Sequence, residues 1–253
     1  MDSKKLILLD VFSYSCMNCL RSLKYIEKIN AKYNKYGLTT ILIHPPEWKF
    51  EKNKDNIVAA LRKHNIKFPL IIDRNKKIIK RLNINFWPTQ LLIRNEEILY
   101  KHVGEGNYKK LETAIQNILK IKTKKVFGKE PRYTKFPAVY LRKRKDRNIV
   151  DNKNKLKFGL VYAEGRWIQK EEYLKNKGKG CSLTTITKGN VIRIVAKSNK
   201  IAKIIVRLDN KFFRRLTIGK PDLYVVANIK DNKQHKLTLA TKSDIAIYSF
   251  TFE

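Results

Sequence analysis

The feature that most limits the fold of this chain is a pair of cysteines, Cys16 and Cys19, at the point where an apolar run gives way to a helical pattern. Residues 4–12 form the apolar run, which is typical of a buried strand. After Cys16 apolar residues recur at intervals of three and four, as on one face of an amphipathic helix, until Gly37 ends the pattern. The set comprises Leu20, Leu23, Ile26, Ile29, Tyr33 and Tyr36. The cysteine pair is therefore predicted to lie at the start of a helix that follows a buried strand.

The pattern up to residue 121 continues as alternating strands and helices. The predicted elements are strands at 38–44 and 68–72, helices at 55–64 and 77–82, a hairpin of 89–94 and 98–103, and a helix at 111–119. The order β-α-β-α-β-α-β-β-α predicts an α/β sheet with an antiparallel hairpin at one edge.

The position of the two cysteines suits thiol chemistry. Unpaired N–H groups and the helix dipole at a helix start favour a thiolate, and a thiolate is the nucleophile in disulfide exchange. We therefore predict that Cys16 attacks a substrate disulfide and that Cys19, one turn further along, resolves the mixed disulfide. Such a site needs no cofactor besides the redox-active Cys16–Cys19 pair.

Half of a zinc site is the alternative interpretation of the two cysteines. A tetrahedral zinc site would need two more ligands. The other candidates are Cys181, His44, His64, His102 and His235, which show no partner spacing. The sequence therefore disfavours a zinc site, and we expect no metal.

Four segments resemble thioredoxin-like proteins of the TlpA/DipZ branch, in the same order along the chain. They are Asp10–Arg21 (DVFSYSCMNCLR), Ile43–Lys52 (IHPPEWKFEK), Phe86–Thr89 (FWPT) and His102–Gly106 (HVGEG). The resemblance extends over about residues 4–120. It implies an α/β thioredoxin fold with the insertion of TlpA and peroxiredoxin-type domains. It also implies the activity of a thiol–disulfide oxidoreductase that exchanges dithiols and disulfides with protein substrates.

The same resemblance implies roles for single residues. Asp10, six residues before Cys16, takes the place of a buried acid that receives the proton of Cys19. Burial on a strand would raise the pKa of this carboxyl group and suit it to that task. The alternative for Asp10 is an ordinary strand-end carboxylate. Pro88 takes the place of the family's cis-proline beside the redox pair.

A substrate groove is expected around the redox pair. Its predicted residues are Met17, Asn18, Glu47, Trp48 and Trp87. For Trp87 the alternative is simple packing, and for Glu47 and Trp48 it is an ordinary surface loop. Arg21 could hold thiolate charge or be a solvated helix residue. Glu105 is expected to be a solvated loop residue, and its alternative is a polar group near the site.

Helical patterning disappears in the second half of the chain. Residues 122–155 are strongly basic and predict a linker between a redox domain at 1–121 and a second domain at 156–253. From residue 156 onward, short β-rich runs alternate with turn residues, which is typical of an all-β sandwich.

The second domain resembles the carbohydrate-binding-like sandwich that is attached to some DipZ proteins. The matching segments are Phe158–Ala163, Trp167, Glu172–Leu174, Leu208–Asn210, Leu223–Tyr224 and Tyr248–Phe252. The resemblance implies a carbohydrate or another ligand for this domain. Trp167 and Tyr173 could stack on a sugar, and core packing is their alternative. Cys181 is expected to be an inert thiol, and a redox role is its alternative.

The charge of the chain is extreme, with 56 basic and 22 acidic residues for a formal net charge of +34. Such a field attracts nucleic acid and acidic membranes without specifying either. Because coding bias or adaptation to heat also produces this composition, nucleic acid is disfavoured as a partner. The expected partners are protein disulfides or dithiols and an external protein that donates or accepts electrons. The alternative function is a redox-inactive binding module that uses its basic surface for nucleic acid or polyanions.

The N-terminus shows neither a signal peptide nor a membrane segment. The apolar stretch Leu6–Leu9 stops at Asp10, far short of the ~18 residues that a membrane helix needs. We expect a cytoplasmic protein as the sequence stands, and an extracytoplasmic one if an upstream leader is missing.

Overall fold

The structure is a computed structural model in which residues 5–127, 136–143, 148–150, 152–229, 231 and 233–253 are described. The chain forms two compact units, Met1–Arg132 and Tyr133–Glu253. Each unit has its own sheets and its own apolar core.

The first unit alternates strands and helices, as the sequence predicts. In chain order its elements are β1 (Leu6–Val11), α1 (Met17–Tyr33), β2 (Leu38–His44), α2 (Lys54–Lys63), β3 (Leu70–Ile72), α3 (Lys77–Arg81), β4 (Thr89–Arg94), β5 (Glu97–Val103) and α4 (Tyr108–Leu119). Short 3-10 turns at Asn34–Tyr36 and Lys49–Lys52 precede β2 and α2.

The five strands form one mixed sheet in the order β3-β2-β1-β4-β5. Strand β1 pairs in parallel with β2, and β2 with β3, whereas β4 is antiparallel to β1 and β5 to β4. The predicted α/β sheet with an antiparallel hairpin at one edge is therefore confirmed. Since β1 is central, the loop that carries Cys16 leaves the carboxyl end of a buried strand.

Helix α1 follows the predicted apolar stripe. Leu23 and Ile26 lie on its buried face. The helix ends at Tyr33, and after one 3-10 turn Gly37 takes a left-handed conformation with φ 95°, which glycine adopts without steric cost. Tyr36, the last residue of the predicted stripe, is 37% exposed because it lies beyond the end of the α-helix.

The second unit consists of strands. They are β6 (Val139–Tyr140), β7 (Ile149–Val150), β8 (Val161–Glu164), β9 (Trp167–Gln169), β10 (Leu174–Asn176), β11 (Cys181–Thr187), β12 (Val191–Lys197), β13 (Ala202–Leu208), β14 (Lys211–Ile218), β15 (Asp222–Asn228), β16 (His235–Thr241) and β17 (Ala246–Phe252). One sheet has the order β15-β12-β17-β10-β9, with β6 also paired to β17, and the other has the order β14-β13-β16-β11-β8-β7. Buried side chains of both sheets, such as Ile194 and Phe250 from the first and Val206 and Leu239 from the second, form one core. The predicted β-sandwich is confirmed.

Two short strands fall inside the range predicted to be a linker. Strand β6 pairs with β17 and strand β7 pairs with β8, so both belong to the second unit. Residues 128–135, 144–147 and 151 of this range lie outside the described residues, including part of the basic cluster at 142–145. Residue 4, at the start of the first predicted strand, also lies outside them. The limits 1–121, 122–155 and 156–253 stay a prediction.

Among the described residues, no helix combines the length and the apolar character that crossing a membrane requires.

Candidate active site

The two cysteines of the first unit lie at the start of α1. Cys16 is the N-cap residue with an extended backbone, and its sulfur accepts a hydrogen bond from the Cys19 N–H at 3.3 Å. The Cys16 N–H donates to the Ser13 carbonyl oxygen at 3.1 Å. Both thiols are free; Cys16 is partly exposed, whereas Cys19 is 0% exposed. The two sulfurs therefore differ in their access to a partner molecule.

Asp10 lies on β1 and is fully buried. Its Oδ1 accepts a hydrogen bond of 2.7 Å from the Gln90 side-chain amide on the neighbouring strand β4, and its Oδ2 has no hydrogen-bond partner among the described residues. Burial raises the pKa of Asp10 to about 7, and the Gln90 hydrogen bond opposes this rise. The carboxyl group can thus hold or release a proton near neutral pH.

The pKa of the buried Cys19 thiol is shifted by its surroundings. Burial raises its pKa well above the ordinary value, and the hydrogen bond and charge of Cys16 raise it further. The Asp10 charge acts in the same direction, while a hydrogen bond from the Ser13 backbone lowers the pKa. Cys19 therefore loses its proton with difficulty unless a nearby base accepts it.

Pro88 precedes β4 and is buried, and the Trp87–Pro88 peptide bond is cis, as the family resemblance implies. The Trp87 indole N–H donates to Glu47 Oε2 at 3.3 Å, and its ring packs against the apolar cluster that includes Val11 and Ile79. Trp87 therefore packs against the core, as the alternative to a groove role predicts. Its side chain is also partly exposed.

The other predicted groove residues differ in exposure. Met17 and Glu47 are partly exposed, and Asn18 is exposed with its Oδ1 accepting a hydrogen bond from Arg21 Nη2 at 2.7 Å. Trp48 is only 2% exposed. Its place in the substrate groove stays a prediction.

Arg21 and Glu105 form a buried ion pair, which corrects the expectation that Glu105 is a solvated loop residue. Arg21 Nε and Nη2 donate to the two oxygens of Glu105 at 2.8 and 2.7 Å, and the residues are 8% and 7% exposed. Two parallel hydrogen bonds of this kind fix both orientation and distance. The pair joins the redox helix to the loop that follows β5.

Glu51 is a site residue that the sequence reasoning missed. It lies in the turn before α2, is 0% exposed, and accepts hydrogen bonds from Ser13 Oγ at 2.7 Å and Ser15 Oγ at 2.6 Å. The signal available in the sequence was the pair of serines Ser13 and Ser15 in the three positions before Cys16, together with an acidic residue in the segment between β2 and α2. Burial raises the pKa of Glu51 to about 7, the Glu47 charge adds to the rise, and the serine hydrogen bonds oppose it.

His44, at the end of β2, is buried between aromatic rings. Tyr14 stacks on its imidazole at 5.5 Å between ring centroids, and Phe12 approaches edge-on at 5.4 Å. Burial lowers the pKa of His44 to about 4. The ring is therefore neutral at pH 7; it packs between the aromatic rings, and its Nε2 accepts the Tyr14 N–H at 3.4 Å.

Within the described ranges, no three His, Cys, Asp or Glu side chains are arranged to hold a metal ion.

The two aromatic residues considered for sugar stacking in the second unit are engaged in packing. The Trp167 indole N–H donates to the Glu164 carbonyl oxygen at 2.9 Å, and the Tyr173 ring lies 5.0 Å from that of Tyr248. Cys181 is 1% exposed. A ligand of this unit stays a prediction.

Comparison with known proteins gives a family for each part of the chain. Residues 1–116 match the Redoxin family, and residues 139–252 match the family described as the thioredoxin-like C-terminal domain. DipZ of Mycobacterium bovis is 30% identical over 116 residues, which are 46% of this chain and 17% of DipZ. The thiol-disulfide oxidoreductase ResA of Bacillus cereus is 25% identical over 113 residues, which are 44% of this chain and 62% of ResA.

Among solved structures, StoA from Bacillus subtilis superposes with a TM-score of 0.39 and 16% identity over 44% of this chain and 82% of StoA. The matched residues span less than two thirds of the length of DipZ and of ResA. Both family matches agree with the α/β and all-β units of the fold. The chain therefore combines a Redoxin domain at residues 1–116 with a thioredoxin-like C-terminal domain at residues 139–252, and its first part is similar to the thiol-disulfide oxidoreductase ResA.

Proposed function

We propose that this chain catalyses thiol–disulfide exchange with protein substrates through Cys16 and Cys19. The observation that carries the proposal is the unequal exposure of two thiols at one helix start, with Cys16 partly exposed and Cys19 fully buried near the buried acid Asp10. This arrangement separates an attacking sulfur from a resolving sulfur.

In the reductive direction, the Cys16 thiolate attacks one sulfur of a substrate disulfide. A bond forms between Cys16 and that sulfur, the substrate S–S bond breaks, and its second sulfur leaves as a thiolate that takes a proton from water. The Cys19 N–H, 3.3 Å from the Cys16 sulfur, favours the negative charge before the attack.

Cys19 then resolves the mixed disulfide. Its thiol passes a proton to the Asp10 carboxylate, its sulfur bonds to Cys16, and the bond from Cys16 to the substrate breaks with release of the second substrate thiolate. A carboxyl group with a pKa of about 7 accepts a proton efficiently near neutral pH. Two electrons have then moved from the cysteine pair to the substrate.

An external protein dithiol would reduce the Cys16–Cys19 disulfide by the same two exchanges. Run in reverse, the pair would oxidise a substrate dithiol. The reduction potential decides the direction, because values near about −270 mV favour a reductase and values near about −120 mV favour an oxidant.

Pro88 and the partly exposed residues Trp87, Met17, Asn18 and Glu47 are proposed to contact the substrate. The buried Trp48 would contact it only after a movement of its loop.

Trapping of mixed disulfides tests the proposal. A Cys19→Ser variant incubated with a disulfide-containing protein such as insulin should accumulate a covalent adduct through Cys16, visible on a non-reducing gel and lost with dithiothreitol. Cys181→Ser is the matched control and should trap nothing. Adducts that form through Cys19 in a Cys16→Ser variant would contradict the assignment.

The comparisons do not favour the redox-inactive binding module, because the family match spans residues 1–116, which include both cysteines. A carbohydrate or other ligand on the second unit, the external electron partner and the cellular compartment stay predictions.

A further inference from the structure

Glu51 connects the segment before Cys16 to the insertion that follows β2. Its Oε1 accepts the hydroxyl hydrogens of Ser13 and Ser15 at 2.7 and 2.6 Å, and its Oε2 accepts the backbone N–H of Glu47 at 2.5 Å. One fully buried carboxyl group therefore holds two chain segments that are more than thirty positions apart.

The two serines belong to the loop that presents the thiols. Ser15 directly precedes Cys16, and the Ser13 carbonyl oxygen accepts the Cys16 N–H at 3.1 Å. The Ser13 backbone also hydrogen-bonds to the Cys19 thiol. A displacement of this loop would therefore move both sulfurs.

Glu47 extends the connection to the segment that contains Pro88. Its Oε2 accepts the Trp87 indole N–H at 3.3 Å, and Trp87 directly precedes Pro88. The hydrogen bonds of Glu51 and Glu47 thus form one chain from the cysteine loop to the Trp87 side chain.

We propose that Glu51 is a positioning residue of the thiol–disulfide exchange site: its carboxyl group fixes the Ser13–Ser15 segment that carries Cys16 and, through Glu47, the Trp87 side chain. The inference rests on the proposed function for its effect on turnover. Its effect on the chemical reactivity of Cys16 can be measured without any protein substrate.

The chemistry of a carboxyl group explains why an amide would not replace it. A carboxylate offers acceptors on both oxygens, so it serves the two hydroxyls and the backbone N–H together. In Glu51→Gln the amide keeps one acceptor oxygen, so either its NH2 group faces the Glu47 N–H, or the amide turns and both serine hydroxyls must rotate to accept its hydrogens. The variant keeps the size of the side chain and disturbs the hydrogen bonds between the two segments.

The test compares Glu51→Gln with Glu112→Gln in the full-length reduced protein. Glu112 is also 0% exposed, and it accepts hydrogen bonds from the Tyr33 hydroxyl and the Val126 N–H, both at 2.6 Å. Its contacts hold the last residues of α1 and the segment after α4 and do not include the Ser13–Ser15 segment, so it controls for the loss of a buried carboxyl group in the same unit.

The main readout is the rate of Cys16 alkylation by iodoacetamide, assigned to Cys16 by peptide mass spectrometry, and turnover of a protein disulfide is the second. Because a displaced loop would take the Cys16 sulfur away from the Cys19 N–H that donates to it at 3.3 Å, Glu51→Gln should lower both rates about 10- to 100-fold. Glu112→Gln should change them less than about 2-fold, while the melting temperatures of the two variants stay similar.

A double-mutant cycle tests the route through the serines. In a background with Ser13→Ala and Ser15→Ala, which should itself be slow, Glu51→Gln should add less than about a 2-fold loss, since residues of one network are not additive. Fully additive losses would overturn this route.

Unchanged alkylation in Glu51→Gln would overturn the proposal, even if turnover fell. Faster alkylation would also overturn it, because the carboxylate would then act through its charge and not by positioning. If Glu51→Gln fails to fold, the rate of Cys16 alkylation is measured in the single variants Ser13→Ala and Ser15→Ala instead. Unchanged rates in both variants would overturn the proposal. If the wild type reduces no protein disulfide, the proposed function fails and the alkylation comparison still decides the role of Glu51.

Discussion

The two units of the chain bury different kinds of polar side chain. In the described part of the first unit, the buried Asp, Glu, His and Arg residues are Asp10, Arg21, His44, Glu51, Asp73, Glu105 and Glu112. The second unit buries no such residue in its described part; its buried polar side chains are Asn176, Ser182, Thr184, Thr185, Thr187, Thr241 and Ser249. Because a buried ionisable group is costly to desolvate, the first unit is where burial shifts the pKa of carboxyl and imidazole groups such as Asp10, His44 and Glu51.

Not every buried charge in the first unit serves the redox pair. Asp73 Oδ2 accepts the Ile79 N–H at 3.0 Å and so holds α3, and Glu112 holds residues 126–127. Asp10, Glu51 and the Arg21 pair instead contact the segments around Cys16 and Cys19. The comparison shows that the hydrogen-bond partners of a buried charged residue, more than its burial, distinguish a residue of the candidate site from a structural one.

The largest expected difference between the units is in the effect of replacing a cysteine. Cys16→Ser should lower disulfide turnover by about 10³-fold or more, since it removes the nucleophile. Cys181→Ser, in the second unit, should change turnover less than about 2-fold because its thiol is buried at 1% exposure. An insulin-reduction assay with dithiothreitol as electron donor measures both. A loss of turnover in Cys181→Ser would place the second unit in the active site.

A smaller difference is expected in the pH dependence of stability. Burial raises the folded-state pKa of Asp10 to about 7, whereas an unfolded aspartate has a pKa near ~3.9. The folded state therefore binds the Asp10 proton more tightly than the unfolded state does. This contribution to the free energy of unfolding is fully present below about pH 4 and is lost as the pH rises through about 7. Asp10→Asn should be more stable than the wild type by about 2–4 kcal/mol at pH 8 and about equal to it at pH 4.

Urea unfolding followed by ellipticity at 222 nm measures this effect in the first unit, because all four α-helices of the described residues lie there. The raised pKa of Glu51 also makes the protein less stable as the pH rises. The pKa of His44 is lowered to about 4, which makes the protein less stable as the pH falls. Comparing variant with wild type at each pH isolates Asp10 from both. An equal gain at pH 4 and pH 8 would show that Asp10 does not titrate as described.

The sequence predicts the parts of the site that depend on local pattern. The helix start at Cys16 follows from the change of period, and the burial of Asp10 follows from its place on an apolar strand. The cis bond before Pro88 came from the family resemblance, since no local pattern specifies it.

The parts that sequence reasoning missed depend on contacts between distant segments. Arg21 and Glu105 are 84 positions apart, so the sequence around either residue does not indicate the ion pair. Glu51 is buried because the insertion folds back on the Ser13–Ser15 segment, and the same stretch of polar residues would be exposed in an open loop. Strands β6 and β7 have two residues each and carry no periodicity.

The smallest effect on turnover should come from removing the second unit, provided that the truncation leaves the contacts within the first unit intact. Phe127 is 8% exposed and lies 5.3 Å from the Tyr25 ring, and the N–H groups of Val126 and Phe127 donate to Glu112. A fragment ending at residue 132 should keep turnover within about 2-fold of the full chain, because no residue assigned to the chemistry is removed. A fragment ending at residue 122 should lose about 1–3 kcal/mol of unfolding free energy, from the lost burial of Phe127 and the donors taken from Glu112. Urea unfolding and insulin reduction measure the two quantities on the same samples. Equal stability of the two fragments would show that residues 123–127 do not belong to the first unit, and a large loss of turnover in the longer fragment would show that the chemistry is shared between the units.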